Sequence, residues 1–255
     1  VKARRDALEL ASEVHALEAR EGEKRTLRLS LPMNLNRVTL ISQIMTYEDR
    51  HPDVRVEISA DSGLPALIAG KTDVSLGSYY RPDPRLFALP AGICYSFIMA
   101  TKKYERKYGL PETIEDLKHH TILLRYTQNL GYSNKLENGT ETYYIDRGHR
   151  VQHGDAAACR EMLLAGEGLA IDLTPGFVSD YLASGFVFPV LKGWHREPWH
   201  YHVYCRAGSH DDKVLRELMA YVERGVFATF ANQWQFWYGK LGIPMPEGFV
   251  PQSKS

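Results

Sequence analysis

The fifty residues from Leu31 to Tyr80, with the strand that leads into them, alternate strand-like and helix-like patterns at a spacing few folds accommodate. Thr26-Leu-Arg-Leu-Ser-Leu31 alternates with period two until Pro32-Met33-Asn34 breaks it. An amphipathic run from Leu35 to Arg50 predicts a helix, which Pro52 stops. Val54-Arg-Val-Glu-Ile58 reads as a second strand, Gly63 to Gly70 as a short helix, and Asp73-Val-Ser-Leu-Gly77 as a third strand. Strands joined by helices at this spacing pair in parallel through right-handed crossovers. Ligands of such sheets sit outside the carboxyl ends of the strands. Pro32–Asn36, Asp61–Gly63 and Ser78–Arg81 are therefore expected to converge on one cleft.

The rest of the chain repeats this logic. Gly92–Ala100 is a long apolar run that suits one strand passing from one half of the molecule to the other, with Arg85–Pro90 as the connection into it. Thr101–Tyr108 is basic and expected at the surface, Pro111–Leu117 predicts a short helix, and Thr121–Tyr126 a strand. The polar stretch Thr127–Gly139 is expected to be a loop. Asp155 caps a helix over Ala156–Leu164, Leu169–Leu173 reads as a buried strand, and Pro175–Ser184 as helical. Trp199–Arg206 is the second candidate crossing strand. Leu215, Leu218, Met219, Val222, Val226 and Phe230 mark helix over Asp211–Tyr238. Two α/β halves joined by two crossing strands make a hinged molecule with its ligand between the lobes.

Ahead of this, Arg4–Glu21 is rich in helix formers, with Ala7, Leu10, Val14 and Leu17 at three-four spacing. That stripe either packs on its own domain or pairs with another chain. The pattern is already running at the first residues, so a preceding segment is expected.

Lys and Arg together number 31, as do Asp and Glu, which argues against a broad basic face gripping nucleic acid. Three cysteines, Cys94, Cys159 and Cys205, form no CxxC pair and read as free buried thiols of a reducing compartment. No apolar run has the length of a membrane span, and no signal-peptide core is seen, so a cytoplasmic location and no membrane partner are expected.

Six motifs in order carry a family resemblance: Leu27-Arg-Leu-Ser-Leu-Pro32; Tyr47-Glu-Asp-Arg-His-Pro-Asp-Val-Arg-Val56; Leu67-Ile-Ala-Gly-Lys-Thr-Asp-Val-Ser-Leu76; Ile114–Ile122; Met162-Leu-Leu-Ala-Gly-Glu-Gly-Leu-Ala-Ile171; and Tyr181–Phe186 leading to Val190-Leu191. From about Arg4 to Gly242 the chain resembles the linker helix and effector-binding domain of LysR-type transcriptional regulators. The resemblance implies an α/β fold of the type-2 periplasmic-binding-protein kind, with two Rossmann-like lobes. The expected division is a linker and dimerisation helix over 1–25, lobe I over 26–98 and 207–242, lobe II over 99–206, and a flexible tail over 243–255. It implies a small-molecule effector, perturbation of a homodimer or homotetramer, promoter DNA reached only through a winged helix-turn-helix outside these residues, and RNA polymerase as a further partner. No cofactor and no enzymatic activity are implied. The alternative is a stand-alone solute-binding protein for transport or sequestration, against which the charged N-terminal helix weighs.

The resemblance also implies ligand-facing positions. These are Met33 and Asn34 after the first strand, Ser62 and Gly63 after the second, Arg125 and Tyr126 at a lobe II strand end, and His153 and Asp155 at a helix start. Tyr79 and Tyr80 join them at the rim. Many relatives carry a hydroxyl residue where Met33-Asn34 stands, so a relative's ligand does not transfer directly. Each position has a plainer reading beside the functional one. Asn34 and Ser62 suit ordinary helix capping, Arg125 a surface or interlobe salt bridge, and Tyr79, Tyr80, Tyr126 and Trp199 core or rim packing. Together they point to a small organic anion, with Arg125 as its charge partner. His200 and His202 share a strand face near His195 and Cys205, without a third ligand at metal-site spacing. No GxSxG, P-loop, GxGxxG or HExxH motif occurs.

Overall fold

The computed structural model describes residues 24–32, 35, 37–60, 64–78, 83–126 and 134–245. The linker helix, Met33, Asn34, Ser62, Gly63, Tyr79, Tyr80 and most of the tail lie outside these residues. In chain order the elements are β1 (Arg25–Ser30), α1 (Val38–Arg50), β2 (Val54–Ser59), α2 (Leu64–Ile68), β3 (Val74–Gly77), β4 (Leu86–Cys94), β5 (Met99–Thr101), α3 (Lys102–Tyr108) and β6 (Thr121–Arg125). They continue with β7 (Lys135–Asn138), β8 (Glu141–Tyr144), β9 (Arg150–Gly154), α4 (Ala156–Ala165), β10 (Leu169–Ala170), α5 (Ser179–Ala183), β11 (Val187–Pro189), β12 (His195–Arg196), β13 (Trp199–Arg206) and α6 (Lys213–Leu241).

The strand–helix alternation folds as its periodicity dictates. In α1, Leu40, Ile44 and Tyr47 fall on one face and are buried, and the helix ends at His51 ahead of Pro52. The Asp of the Lys-Thr-Asp-Val-Ser-Leu motif has a structural task. Asp73 accepts from the backbone N–H of Arg28 at 2.9 Å and from its guanidinium at 3.0 Å through both carboxylate oxygens, which pins β1 to the start of β3.

The first sheet runs β2-β1-β3-β13-β4 and the second β9-β6-β10-β5-β11. In the first, β1 is parallel to β2 and β3, while β13 is antiparallel to β3 and β4. In the second, β6 is parallel to β9 and β10, while β5 is antiparallel to β10 and β11. The two orders are the same: three parallel strands, one antiparallel strand delivered by a crossing from the other lobe, then a fifth strand. This is the expected pair of Rossmann-like lobes. One buried core includes Leu29 and Val203 of the first sheet, Phe97 and Trp199 at the crossings, and Leu123 and Cys159 of the second lobe.

Three local expectations are corrected. The run Gly92–Ala100 is not one strand. Residues to Cys94 ladder in the first sheet, Met99–Thr101 in the second, and Tyr95–Ile98 in neither, although all four are buried. The two ends of the crossing satisfy their backbone groups in different sheets, so the ladder breaks between them. Arg85–Pro90 is strand from Leu86 onward; β4 is an edge strand, and the register shifts beside Pro90, where a missing N–H is tolerated. Part of the polar loop, Lys135–Asn138, pairs with Glu141–Tyr144 as a hairpin around Gly139 at φ 58°, the left-handed value a two-residue hairpin loop needs. This hairpin and β12 form a third small sheet. The hairpin occupies the β6-to-β9 crossover, where the equivalent β1-to-β2 crossover carries α1.

The last helix is one element of 29 residues, capped by Asp212, which accepts from the N–H groups of Val214 and Leu215, and closed by Gly242 at φ 61°. Arg25 also bridges to Asp212, tying the start of β1 to the start of α6.

Candidate functional site

The carboxyl ends of β6, β9 and β10 face the crossings, and four side chains meet there. Arg125 closes β6. Asp172 lies two residues beyond β10, Arg196 is in β12, and Trp199 opens β13. All four are nearly inaccessible: Arg125 is 5% exposed, Asp172 0%, Arg196 2% and Trp199 4%.

Their geometry is unequal. Arg196 Nη1 donates to Asp172 Oδ2 at 2.6 Å, a charge-assisted bond. The same oxygen accepts from the backbone N–H of Arg125 at 3.2 Å. Arg125 Nε is 3.9 Å from that oxygen, within ion-pair range but too far for a hydrogen bond. The Arg125 guanidinium lies 4.2 Å from the centre of the Trp199 ring and that of Arg196 5.7 Å, so one indole supports both cations. Trp199 pairs in register with Cys94 of β4. The Arg125–Trp199 contact therefore joins the end of a second-sheet strand to the first residue of a first-sheet strand.

Two guanidiniums thus share one carboxylate away from water. Among the described residues, Arg125 Nε, Arg196 Nε and Asp172 Oδ1 are buried without a hydrogen-bond partner. Orphaned buried polar atoms are uncommon and mark a place where a further polar group belongs. Burial pushes the neighbouring Cys94 and Cys159 thiols up to about 12, with the Arg125 cation opposing the shift in both. Neither sulfur brings a charge to the cluster.

Of the residues expected to face a ligand, Arg125 sits in this cluster. Tyr126 follows it at the rim, half exposed, its N–H donating to the Gly154 carbonyl at 2.8 Å. Asp155 is occupied as a cap, accepting from the Ala158 N–H at 2.8 Å. His153 pairs in register with Leu124, and successive strand residues alternate faces, so its ring lies on the opposite face of the sheet from Arg125. The sequence reading missed Asp172 and Arg196. Asp172 did carry a signal, a lone acid within Leu169-Ala-Ile-Asp-Leu173, since a buried polar residue is the informative exception in an apolar strand. Arg196 carried none.

A polar depression of about 410 Å³ lies at the amino end of β1, lined by Arg25, Arg28, Asp73, Arg206 and Asp212 among others. Its Arg25 and Arg28 are already bridged to Asp212 and Asp73, unlike the orphaned groups of the Arg125 cluster. Among the described residues no group of three or more His, Cys, Asp or Glu is placed to hold a metal ion, and no helix is long and apolar enough to cross a membrane.

Comparison with known proteins matches residues 20–226 to the LysR substrate binding domain. An HTH-type transcriptional regulator of Xanthomonas campestris is 27% identical over 197 residues, covering 74% of this chain and 56% of that protein. The HTH-type transcriptional regulator CrgA of Neisseria meningitidis is 26% identical over 186 residues, covering 71% of this chain and 60% of the relative. This chain thus spans little more than half the length of these curated relatives. The structure of CrgA, a LysR-type transcriptional regulator, superposes with a TM-score of 0.65 at 21% identity, covering 88% of this chain and 76% of that one. The regulatory domain of AphB from Vibrio vulnificus does so at 0.61 and 22%, covering 79% and 98%. These likenesses carry the fold, a two-lobed type-2 periplasmic-binding-protein architecture, and the match over most of its length makes this chain a member of the LysR substrate-binding domain family.

Proposed function

We propose that this chain is the effector-sensing part of a cytoplasmic transcription regulator, and that its effector is a small organic anion held between the lobes by Arg125. The observation that carries the proposal is the buried pair of guanidiniums sharing Asp172, with orphaned donors on both arginines, at the strand ends where ligands of this architecture sit. An anion there completes the charge and hydrogen bonding of Arg125 and touches both lobes. It thereby favours one lobe arrangement by the difference in its affinity for the two. Met33, Asn34, Ser62, Gly63, Tyr79 and Tyr80 follow β1, β2 and β3 in the sequence, and in this reading they complete the site from lobe I.

The signal passes to DNA through a helix-turn-helix domain outside these residues, and RNA polymerase is the downstream partner. Self-association transmits it. In support, α1 carries a second apolar stripe that faces solvent, Val38 (75% exposed), Ile41 (39%) and Met45 (60%), beside the edge strand β2. Such a stripe is the kind of surface that pairs copies of a chain.

The test is a thermal-shift screen of organic acids on the purified chain, repeated on Arg125→Ala against its own baseline. A ligand present at a hundred times its Kd stabilises by about 2.7 kcal/mol. That gain is expected to vanish in Arg125→Ala. Undiminished stabilisation of the variant by the same acid would remove Arg125 from the site and sink the anion reading.

A further inference from the structure

Resting on that reading, we infer that Asp172 sets the charge of the effector, so that the cleft takes a monoanion, a single carboxylate, and rejects dianions. Among the described residues, Asp172 is the acid paired with either Arg125 or Arg196. Two guanidiniums and one carboxylate leave the cluster one positive charge in excess. The cluster is sealed: none of its three charged side chains exceeds 5% exposure, so water screens the excess poorly.

The arrangement also says where the balancing charge goes. Arg196 holds Asp172 through a direct 2.6 Å bond. Among the described residues, Arg125 meets the same carboxylate through its backbone N–H and a 3.9 Å ion pair, so there its guanidinium is the less satisfied of the two. Asp172 sits as an internal competitor for that guanidinium. One ligand carboxylate on Arg125 neutralises the cluster. A second negative charge on the ligand meets the Asp172 carboxylate with no remaining cation to offset it. Specificity here comes from a repelling group as well as an attracting one. Asp172 does not need to touch the effector; it is a positioning and charge-setting residue.

The experiment compares matched probes at neutral pH and constant ionic strength, benzoate against phthalate and butyrate against succinate, with chloride as the inorganic control. Binding is read by thermal shift and calorimetry on wild type, Asp172→Asn and Asp172→Glu. In wild type the monoanion of each pair is expected to bind at least about tenfold more tightly than the dianion, given the strength of charge interactions at a dry site. Asp172→Asn should shift the ratio toward the dianion by a similar factor, and Asp172→Glu should keep the wild-type order. Wild-type preference for the dianions overturns the inference while leaving an anion site standing. So does a ratio unchanged in Asp172→Asn, or stabilisation by chloride equal to that by benzoate. Failure of every probe to bind wild type overturns the anion reading itself, and this inference with it. Should Asp172→Asn fail to fold, the wild-type ratio and the Asp172→Glu order still decide.

Discussion

The hydroxyl of Tyr238 donates to the backbone carbonyl of Ser96 at 3.5 Å. Ser96 lies in the first crossing between the lobes, and the next residue, Phe97, meets the Tyr238 ring edge-on with centroids 5.6 Å apart. Three residues after Tyr238, the Leu241 carbonyl accepts from Lys192 Nζ at 2.6 Å, in the segment leading to the second crossing. The last turns of α6 therefore touch the first crossing and the segment that leads to the second, and they lie beyond residue 226, where the family match ends. Burial raises the Tyr238 phenol well above its ordinary value, so it stays protonated and able to donate.

Truncating that side chain should be costly. Tyr238→Ala is expected to destabilise the chain by about 3–5 kcal/mol, the range for removing a buried aromatic. Tyr238→Phe, which removes only the hydroxyl, should cost about 1 kcal/mol. Urea denaturation measures both. A Tyr238→Ala loss no larger than that of Tyr238→Phe would mean that the ring does not brace the crossing.

Gly168 is fixed by lack of room. A Cβ there would lie 2.8 Å from two Leu123 side-chain carbons and from the Thr121 carbonyl oxygen, and the backbone oxygen cannot rotate away. Gly168→Ala is expected to cost about 1–3 kcal/mol, as overpacking does. Gly208→Ala is the control, because nothing lies within 4 Å of its added carbon. Equal melting temperatures for the two variants would contradict this account.

The thiols should be silent in the native protein. Cys94, Cys159 and Cys205 are all free and buried, with burial raising them to about 12, 12 and 11. The thiolate is the reactive form, so a disulfide reagent at neutral pH is expected to label none quickly and all three on unfolding. Rapid labelling of the native chain, followed by mass spectrometry, would identify an accessible thiol and refute the prediction.

Acid should weaken the fold through His120. Its ring is 8% exposed, shares a 2.8 Å hydrogen bond with the Tyr104 hydroxyl, and has its pKa lowered from 6.5, chiefly by burial. A histidine at the end of a short helical turn would ordinarily gain from the helix dipole as a cation; here burial wins. The sign follows from linkage. Below about pH 6.5 the unfolded chain binds a proton that the folded chain resists, so stability holds above that pH and falls as pH drops through the lowered value. His202 is shifted in the same direction, also chiefly by burial. Melting temperature should decline between about pH 7 and 5, and less steeply in His120→Gln. Parallel pH profiles for wild type and variant would clear His120 of the effect.

The sequence by itself determined β1 to β3 with their two helices, the cap at Asp155 and the buried stripe of α6. Each is a local matter of periodicity, breakers and caps that neighbouring residues decide among themselves. It also pointed to Arg125, through the strand end that the family resemblance marks as ligand-facing. Tertiary structure alone decided the rest. Asp172 meets Arg125 across 47 residues of sequence and Arg196 across 24, and no local pattern encodes a meeting that depends on how two sheets and a hairpin come together. The break at Tyr95–Ile98 has the same origin. An apolar run reads as one strand until two separate sheets compete for its backbone hydrogen bonds, and that competition exists only once both lobes have formed.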